Sequence, residues 1–143
     1  MKTLSLVRTK LSSSSPIGVF DSGLGGLTDL KSLEDILPNE SYIYFGDTAH
    51  VPYGTKSDDM IIKYSEKILD FFSKHNTKAV VIACNTASAV AYDVLQKEYS
   101  IPLFDVVSPS VEYIIQQPQT KNIGVIGTTN TINSKTYSQK FKE

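Results

Sequence analysis

From Pro16 onward the chain alternates short apolar, β-branched runs with longer amphipathic stretches, and it does so five times. Strict alternation of this kind leaves few ways to connect the chain. Each strand returns parallel to the last through a helical crossover, which predicts a doubly wound α/β fold with a parallel sheet and helices on both faces. The predicted strands are residues 17–20, 41–45, 78–83, 101–104 and 122–127, a sheet of about five strands. Between the first two, Leu27, Leu30, Leu33 and Leu37 repeat at helical spacing until Pro38 and Asn39 stop the run. Ile61, Tyr64, Ile68, Phe71 and Phe72 mark a long helix behind Ser57, an N-cap candidate with Asp58 and Asp59 in the first turn. Ala87, Val90, Ala91, Val94 and Leu95 form the next stripe, Ser108 and Pro109 open a shorter helix, and a polar helix closes the chain. The run 78–83 is the most apolar and is expected to be buried on both faces.

Size and charge narrow the function. At 143 residues the chain makes one domain, and a net charge of -1 offers no basic field for nucleic acid. A single cysteine rules out an intrachain disulfide and suits a cytoplasmic location. The uncharged run 3–7 is too short for a signal-peptide core, and Arg8 and Lys10 break up the stretch after it. No stretch approaches the ~20 apolar residues of a membrane span, so a membrane is not an expected partner. Residues 1–15, ending in a serine run, are expected to form a flexible extension, and residues 16–143 one α/β lobe.

Open parallel sheets bind ligands beyond the carboxyl ends of their strands. The residues there are Asp21 and Ser22; Gly46, Asp47 and Thr48; Cys84, Asn85 and Thr86; Asp105; and Thr128 through Thr131. Thr86, Ser108 and Thr131 read equally well as helix N-caps. The stretch "IGVFDSGLGGLTDL" looks at first like a phosphate cradle, and Asp47 sits where a ribose-binding acid would lie. A dinucleotide fingerprint, however, needs glycine where Thr28 stands, and Asp21 at the mouth of the turn would repel a pyrophosphate. The glycines read better as a tight turn presenting amide groups to a carboxylate, with Asp21 free to meet an amino group or a proton. Cys84 is either a small buried hydrophobe or, at the start of a helix whose N-terminal end favours negative charge, a nucleophile or base. His50 reads as a solvated loop residue, and His75 as a dipole partner at a helix end or a surface residue.

The motifs "FDSGLGGLT", "YFGDTAHVPYG", "ACNTAS" and "GVIGT", in this order and spacing, resemble the cofactor-independent aspartate/glutamate racemase superfamily, in its glutamate-specific branch. The resemblance runs from about Pro16 to the C-terminus. It implies one lobe of a two-lobe fold, glutamate as substrate, and interconversion of its L and D forms without cofactor or metal, supplying D-glutamate for peptidoglycan. By motif, Cys84 would be the thiolate that removes the α-proton, with Asp21 assisting on its side. Asp21, Ser22, Tyr53, Gly54, Asn85 and Thr86 would surround the substrate, and Thr128 and Thr131 would touch it. A second thiol, followed by Thr-His in the second lobe, would protonate the opposite face.

Two departures qualify this. His50 stands where the family usually has arginine, and the chain holds one cysteine and one lobe. The expectation is therefore an incomplete form: a fragment, a shortened gene, or a lobe completed by a separate chain, with a second copy or a complementary lobe as partner. The alternatives are a one-cysteine lyase or decarboxylase of the same superfamily and a non-catalytic amino-acid-binding remnant. A hydrolase pairing Cys84 with His50 is weaker, because no third orienting group is visible.

Overall fold

The computed structural model describes residues 12–117 and 122–142. The elements are β1 (Ile17–Asp21), α1 (Leu27–Ile36), β2 (Tyr42–Gly46), a 3-10 turn (Tyr53–Thr55), α2 (Asp58–Lys74), β3 (Ala79–Ile82), α3 (Asn85–Glu98), β4 (Leu103–Asp105), α4 (Val107–Ile115), α5 (Thr129–Asn133) and α6 (Thr136–Lys140). The strands form one parallel sheet in the order β2-β1-β3-β4. The chain steps outward from β1 to β2, then crosses back over β1 to β3. The reversal opens a crevice at the carboxyl ends of β1 and β3, where a ligand site belongs in such sheets.

The core lies on one face of that sheet. Phe20, Val80 and Ile82 project there against Ile68, Leu69 and Phe72 of α2 and Leu95 of α3. Helix α2 forms because its apolar residues recur every three to four positions, and because both ends are closed. Ser57 Oγ accepts from the Met60 N–H at 3.4 Å, as its cap position predicts, and His75 Nδ1 meets the Phe71 carbonyl at 2.8 Å. Ser65, fully buried in the same helix, donates to the Ile61 carbonyl at 2.8 Å, so its hydroxyl costs little. A side chain on Gly18 would begin 2.7 Å from the Phe72 ring, which is why β1 carries glycine there.

The other face differs from expectation. Ala79 and Val81 of β3 are only partly buried, and with Ile17 and Phe104 they line an apolar cleft of about 620 Å³ between α1 and α4. No residue of α1 is buried. The run 78–83 is therefore covered on one face and open on the other, since α1 stands off the sheet.

The predicted fifth strand is also absent among the described residues, where the sheet has four. Residues 123–128 have no cross-strand partner: Ile126 is fully exposed, and nothing lies within 4 Å of the position a Gly124 side chain would take. Strand propensity is largely a matter of neighbours, and β-branched residues without them stay irregular. The closing polar helix is two short helices, α5 and α6. Ser108 does not cap α4: the cap position is Val106, and the Asp105 carboxylate just before it closes the first turn, its Oδ2 accepting from the Val107 and Ser108 N–H groups at 3.0 and 2.8 Å. Most of the expected N-terminal extension lies outside the described residues. Its last serines close a turn, with the Ser15 N–H donating to the Ser12 carbonyl at 3.0 Å, and Lys78 donates to the Ser13 carbonyl at 2.8 Å.

Candidate active site

The glycine turn after β1 is organised by its own acid. Asp21 is buried, and its Oδ1 accepts from the Ser22 N–H at 2.8 Å while Oδ2 accepts from the Gly26 N–H at 3.1 Å. Two amides of the turn, those of Ser22 and Gly26, are thus taken by Asp21 rather than offered to a ligand. No described glycine has a positive φ either. Gly26 is required by close approach: a Cβ there would lie 2.7 Å from that of Ala83 and 2.9 Å from that of Asp21.

Two tyrosines on β2 hold α1 in place. Tyr44 donates to the Gly23 carbonyl at 3.0 Å, at the entry to the helix, and Tyr42 donates to the Leu33 and Leu37 carbonyls at 3.0 and 3.1 Å, at its exit. Burial, helped by the Asp21 charge, pushes the Tyr44 phenol up to about 12, so it remains a donor at any ordinary pH. Their two-residue spacing puts both on one side of the strand, a signal the sequence carried and the motif reading passed over.

Cys84 is the N-cap of α3. Its Sγ accepts from the Ala87 N–H at 3.5 Å and its thiol donates to Ser22 Oγ at 3.3 Å, with only 5% of the residue exposed. Ser22 in turn donates to Asp21 Oδ1 at 3.4 Å. Cysteine, serine and carboxylate form one chain of hydrogen bonds across the crevice between β1 and β3. Thr86, read from sequence as an alternative cap, instead sits inside α3.

A second cluster lies close by. The hydroxyls of Thr86, Thr128 and Thr131 are mutually within bonding distance, at 3.0 Å for Thr86 to Thr128, 2.9 Å for Thr128 to Thr131 and 3.4 Å for Thr86 to Thr131. Thr128, not Thr131, caps α5, accepting from the Thr131 N–H at 3.2 Å. Gly54 packs against it so closely that a Cβ would fall 2.5 Å from that of Thr128.

Tyr53 is buried, and its phenol donates to Asp47 Oδ2 at 2.6 Å. Burial first, then the Asp47 carboxylate, push this phenol far above the usual tyrosine range. With the hydroxyl so engaged, Tyr53 and Gly54 have chiefly backbone to offer a ligand. Asp47 also meets His50, whose Nδ1 lies 2.7 Å from Oδ1, and the imidazole stacks on Tyr64 at 4.1 Å between centroids. His50 is therefore a loop residue with much of its side chain in solvent, as expected, but one that is also bonded and stacked, and Asp47 is its anchor and not a ribose ligand. Asn85 is exposed, and its Oδ1 accepts from Tyr137 Oη at 2.6 Å.

The fold thus gathers Asp21, Ser22 and Cys84 in one group, and Gly54, Thr86, Thr128 and Thr131 in another, joined by Asn85 between Cys84 and Thr86. Motif reading missed Tyr44, the Asp47–His50 pair and Tyr137. The described residues contain no cluster of His, Cys, Asp and Glu that could hold a metal, and no helix long and apolar enough to cross a membrane.

These features define a parallel α/β lobe with a cysteine-centred polar site at its topological switch point. Residues 30–143 match the Asp/Glu/Hydantoin racemase family, and the chain belongs to it. It is 51% identical over 129 residues to the glutamate racemase of Thermoanaerobacter pseudethanolicus, covering 90% of this chain and 48% of that protein. The crystal structure of glutamate racemase from Francisella tularensis in complex with D-glutamate superposes with a TM-score of 0.83 at 46% identity, over 90% of this chain and 48% of that one. The RacE1 isoform from Bacillus anthracis gives a TM-score of 0.87 at 38% identity, over 91% and 49%. The chain spans about half the length of the curated relatives it matches.

Proposed function

We propose that this chain is the cysteine-bearing first lobe of a glutamate racemase, acting in the cytoplasm to interconvert L- and D-glutamate and supply D-glutamate for peptidoglycan. The observation that carries the reading is the Cys84–Ser22–Asp21 chain at the switch point, in a chain about half-identical to glutamate racemases.

The α-proton of an amino acid is weakly acidic, so its base must be close, dry and oriented. Cys84 is nearly enclosed and held at a helix N-terminus, where negative charge on sulfur is favoured. In this reading the thiol passes its proton through Ser22 toward Asp21, and the thiolate then takes the α-proton. Asn85, the Thr86–Thr128–Thr131 hydroxyls and the backbone at Tyr53 and Gly54 hold the substrate's carboxylate and amino group. Donors aimed at the carboxylate also stabilise the charge that develops as the proton leaves. The acid for the opposite face is supplied by a second lobe, because Cys84 is this chain's one cysteine.

Chiral chromatography of glutamate tests this with two proteins: the chain alone, and the chain joined to the second half of the Thermoanaerobacter relative. The joined protein is expected to racemise glutamate and the chain alone is not. Racemisation by the chain alone at an ordinary enzymatic rate would contradict the two-lobe mechanism. Exchange of the α-proton with retained configuration would favour the one-cysteine lyase or decarboxylase, and calorimetric binding of glutamate without turnover by either protein the non-catalytic amino-acid-binding remnant.

A further inference from the structure

Tyr137 lies 52 residues from Asn85 in sequence, yet its phenol donates to Asn85 Oδ1 at 2.6 Å. Two anchors make that contact a fixed one. The Tyr137 ring packs on the small apolar cluster of Ala89, Val107 and Val111, and the preceding residue, Thr136, donates its hydroxyl to the Ala89 carbonyl at 2.6 Å. Asn85 and Ala89 are one helical turn apart on α3, so α6 is tied to the same strip of that helix by two neighbouring residues. Burial raises the Tyr137 phenol above its usual range, which keeps it protonated and donating.

A primary amide has two unlike edges, a carbonyl that accepts and an NH2 that donates. A phenol that donates to Oδ1 occupies the accepting edge and leaves Nδ2, which makes no hydrogen bond among the described residues, as the donor edge open to a ligand. We infer that Tyr137 is a positioning residue: it fixes the Asn85 amide so that its NH2, and not its carbonyl, meets the carboxylate of the bound amino acid. An unanchored amide would present the carbonyl about as often, and a carbonyl repels a carboxylate. The inference rests on the amino-acid reading above and adds the donor-only recognition of a carboxylate by α3, set from α6.

The test uses the intact chain, labelled with nitrogen-15, and its Tyr137→Phe variant, which keeps the ring and removes only the hydroxyl. In the free chain the Asn85 side-chain NH2 pair is expected to be as ordered as the backbone, by heteronuclear NOE. In the variant that order should be lost while the Asn85 backbone amide and the melting temperature hold. L-Glutamate should shift the Asn85 NH2 pair in the wild type, and Tyr137→Phe should bind about twofold more weakly, because an amide that presents its NH2 half the time is competent half the time. Asn85→Ala should weaken binding at least as much, and adding Tyr137→Phe to it should cost nothing more, because the phenol acts only through the amide. An NH2 pair that stays ordered in Tyr137→Phe overturns the inference, as do additive losses in the double variant. Glutamate that shifts nothing in the wild type contradicts the amino-acid reading instead, and side-chain order in the free chain still decides the positioning role.

Discussion

The Cys84 thiol and the Ser22 hydroxyl face each other across 3.3 Å, although 62 residues separate them. One caps α3 after the third strand, the other opens the turn after the first, and strand order alone brings them together. Ser22 is also the link to Asp21. Ser22→Ala in the joined two-lobe protein should therefore lower kcat by roughly 10- to 100-fold, a fraction of what a positioned proton-transfer group contributes. KM should change less, and the check is steady-state racemisation of both enantiomers.

The close approaches at Gly26 and Gly54 predict a contrast within the glycines. Gly26→Ala and Gly54→Ala each place a methyl inside 3 Å of a neighbouring side-chain carbon and should destabilise by about 1–3 kcal/mol. Gly23→Ala, whose methyl would sit 3.6 Å from Val51, should change stability by less than about 0.5 kcal/mol. Urea denaturation of the three variants gives the comparison.

Lys135 is held in the left-handed region at φ 58°, just before α6. Lys135→Gly removes that steric cost and should stabilise the chain by about 1 kcal/mol, seen as a higher urea midpoint.

Tyr44, Tyr53 and Tyr99 set the alkaline limit. All three phenols are raised in the folded chain, Tyr44 to about 12 and Tyr53 and Tyr99 further. A raised phenol binds its proton more tightly when folded. Its contribution is whole below the unfolded value near 10 and is lost as pH climbs through the folded one. The urea midpoint should fall above pH 10, and Tyr53→Phe should make that fall shallower. Tyrosinate absorbance should show these three phenols titrating after the exposed ones.

The open face between α1 and α4, with Ile17, Val81, Leu33 and Phe104 around an apolar cleft, predicts binding of a hydrophobic dye by the native chain. Val81→Lys should abolish most of that fluorescence without changing the far-ultraviolet spectrum.

What the sequence disclosed and what it withheld divide along physical lines. Alternating strand and helix patterns encode the parallel sheet, and the rule that sites gather at strand carboxyl ends was enough to bring out Asp21, Ser22, Cys84 and Thr86. Residues 122–127 show the limit of propensity: the pattern is that of a strand, but among the described residues no neighbouring strand pairs with it. The caps misled for a related reason. Cys84 and Thr128 take cap positions and Asp105 closes the first turn of α4 from just before its cap, while Thr86, Ser108 and Thr131 only resemble caps, because which polar atom reaches an N–H depends on a turn's geometry. Long-range partners such as Tyr137 and Asn85 leave no periodic trace at all.

The central claim is that Cys84 removes the α-proton, and α-deuterium incorporation into glutamate in heavy water tests it most directly. In the joined two-lobe protein, proton NMR should show rapid loss of the α-proton signal, and Cys84→Ala should slow that loss at least ~1,000-fold, within the range of a general base. A Cys84→Ala protein that exchanges the α-proton within about tenfold of the wild type would contradict the account.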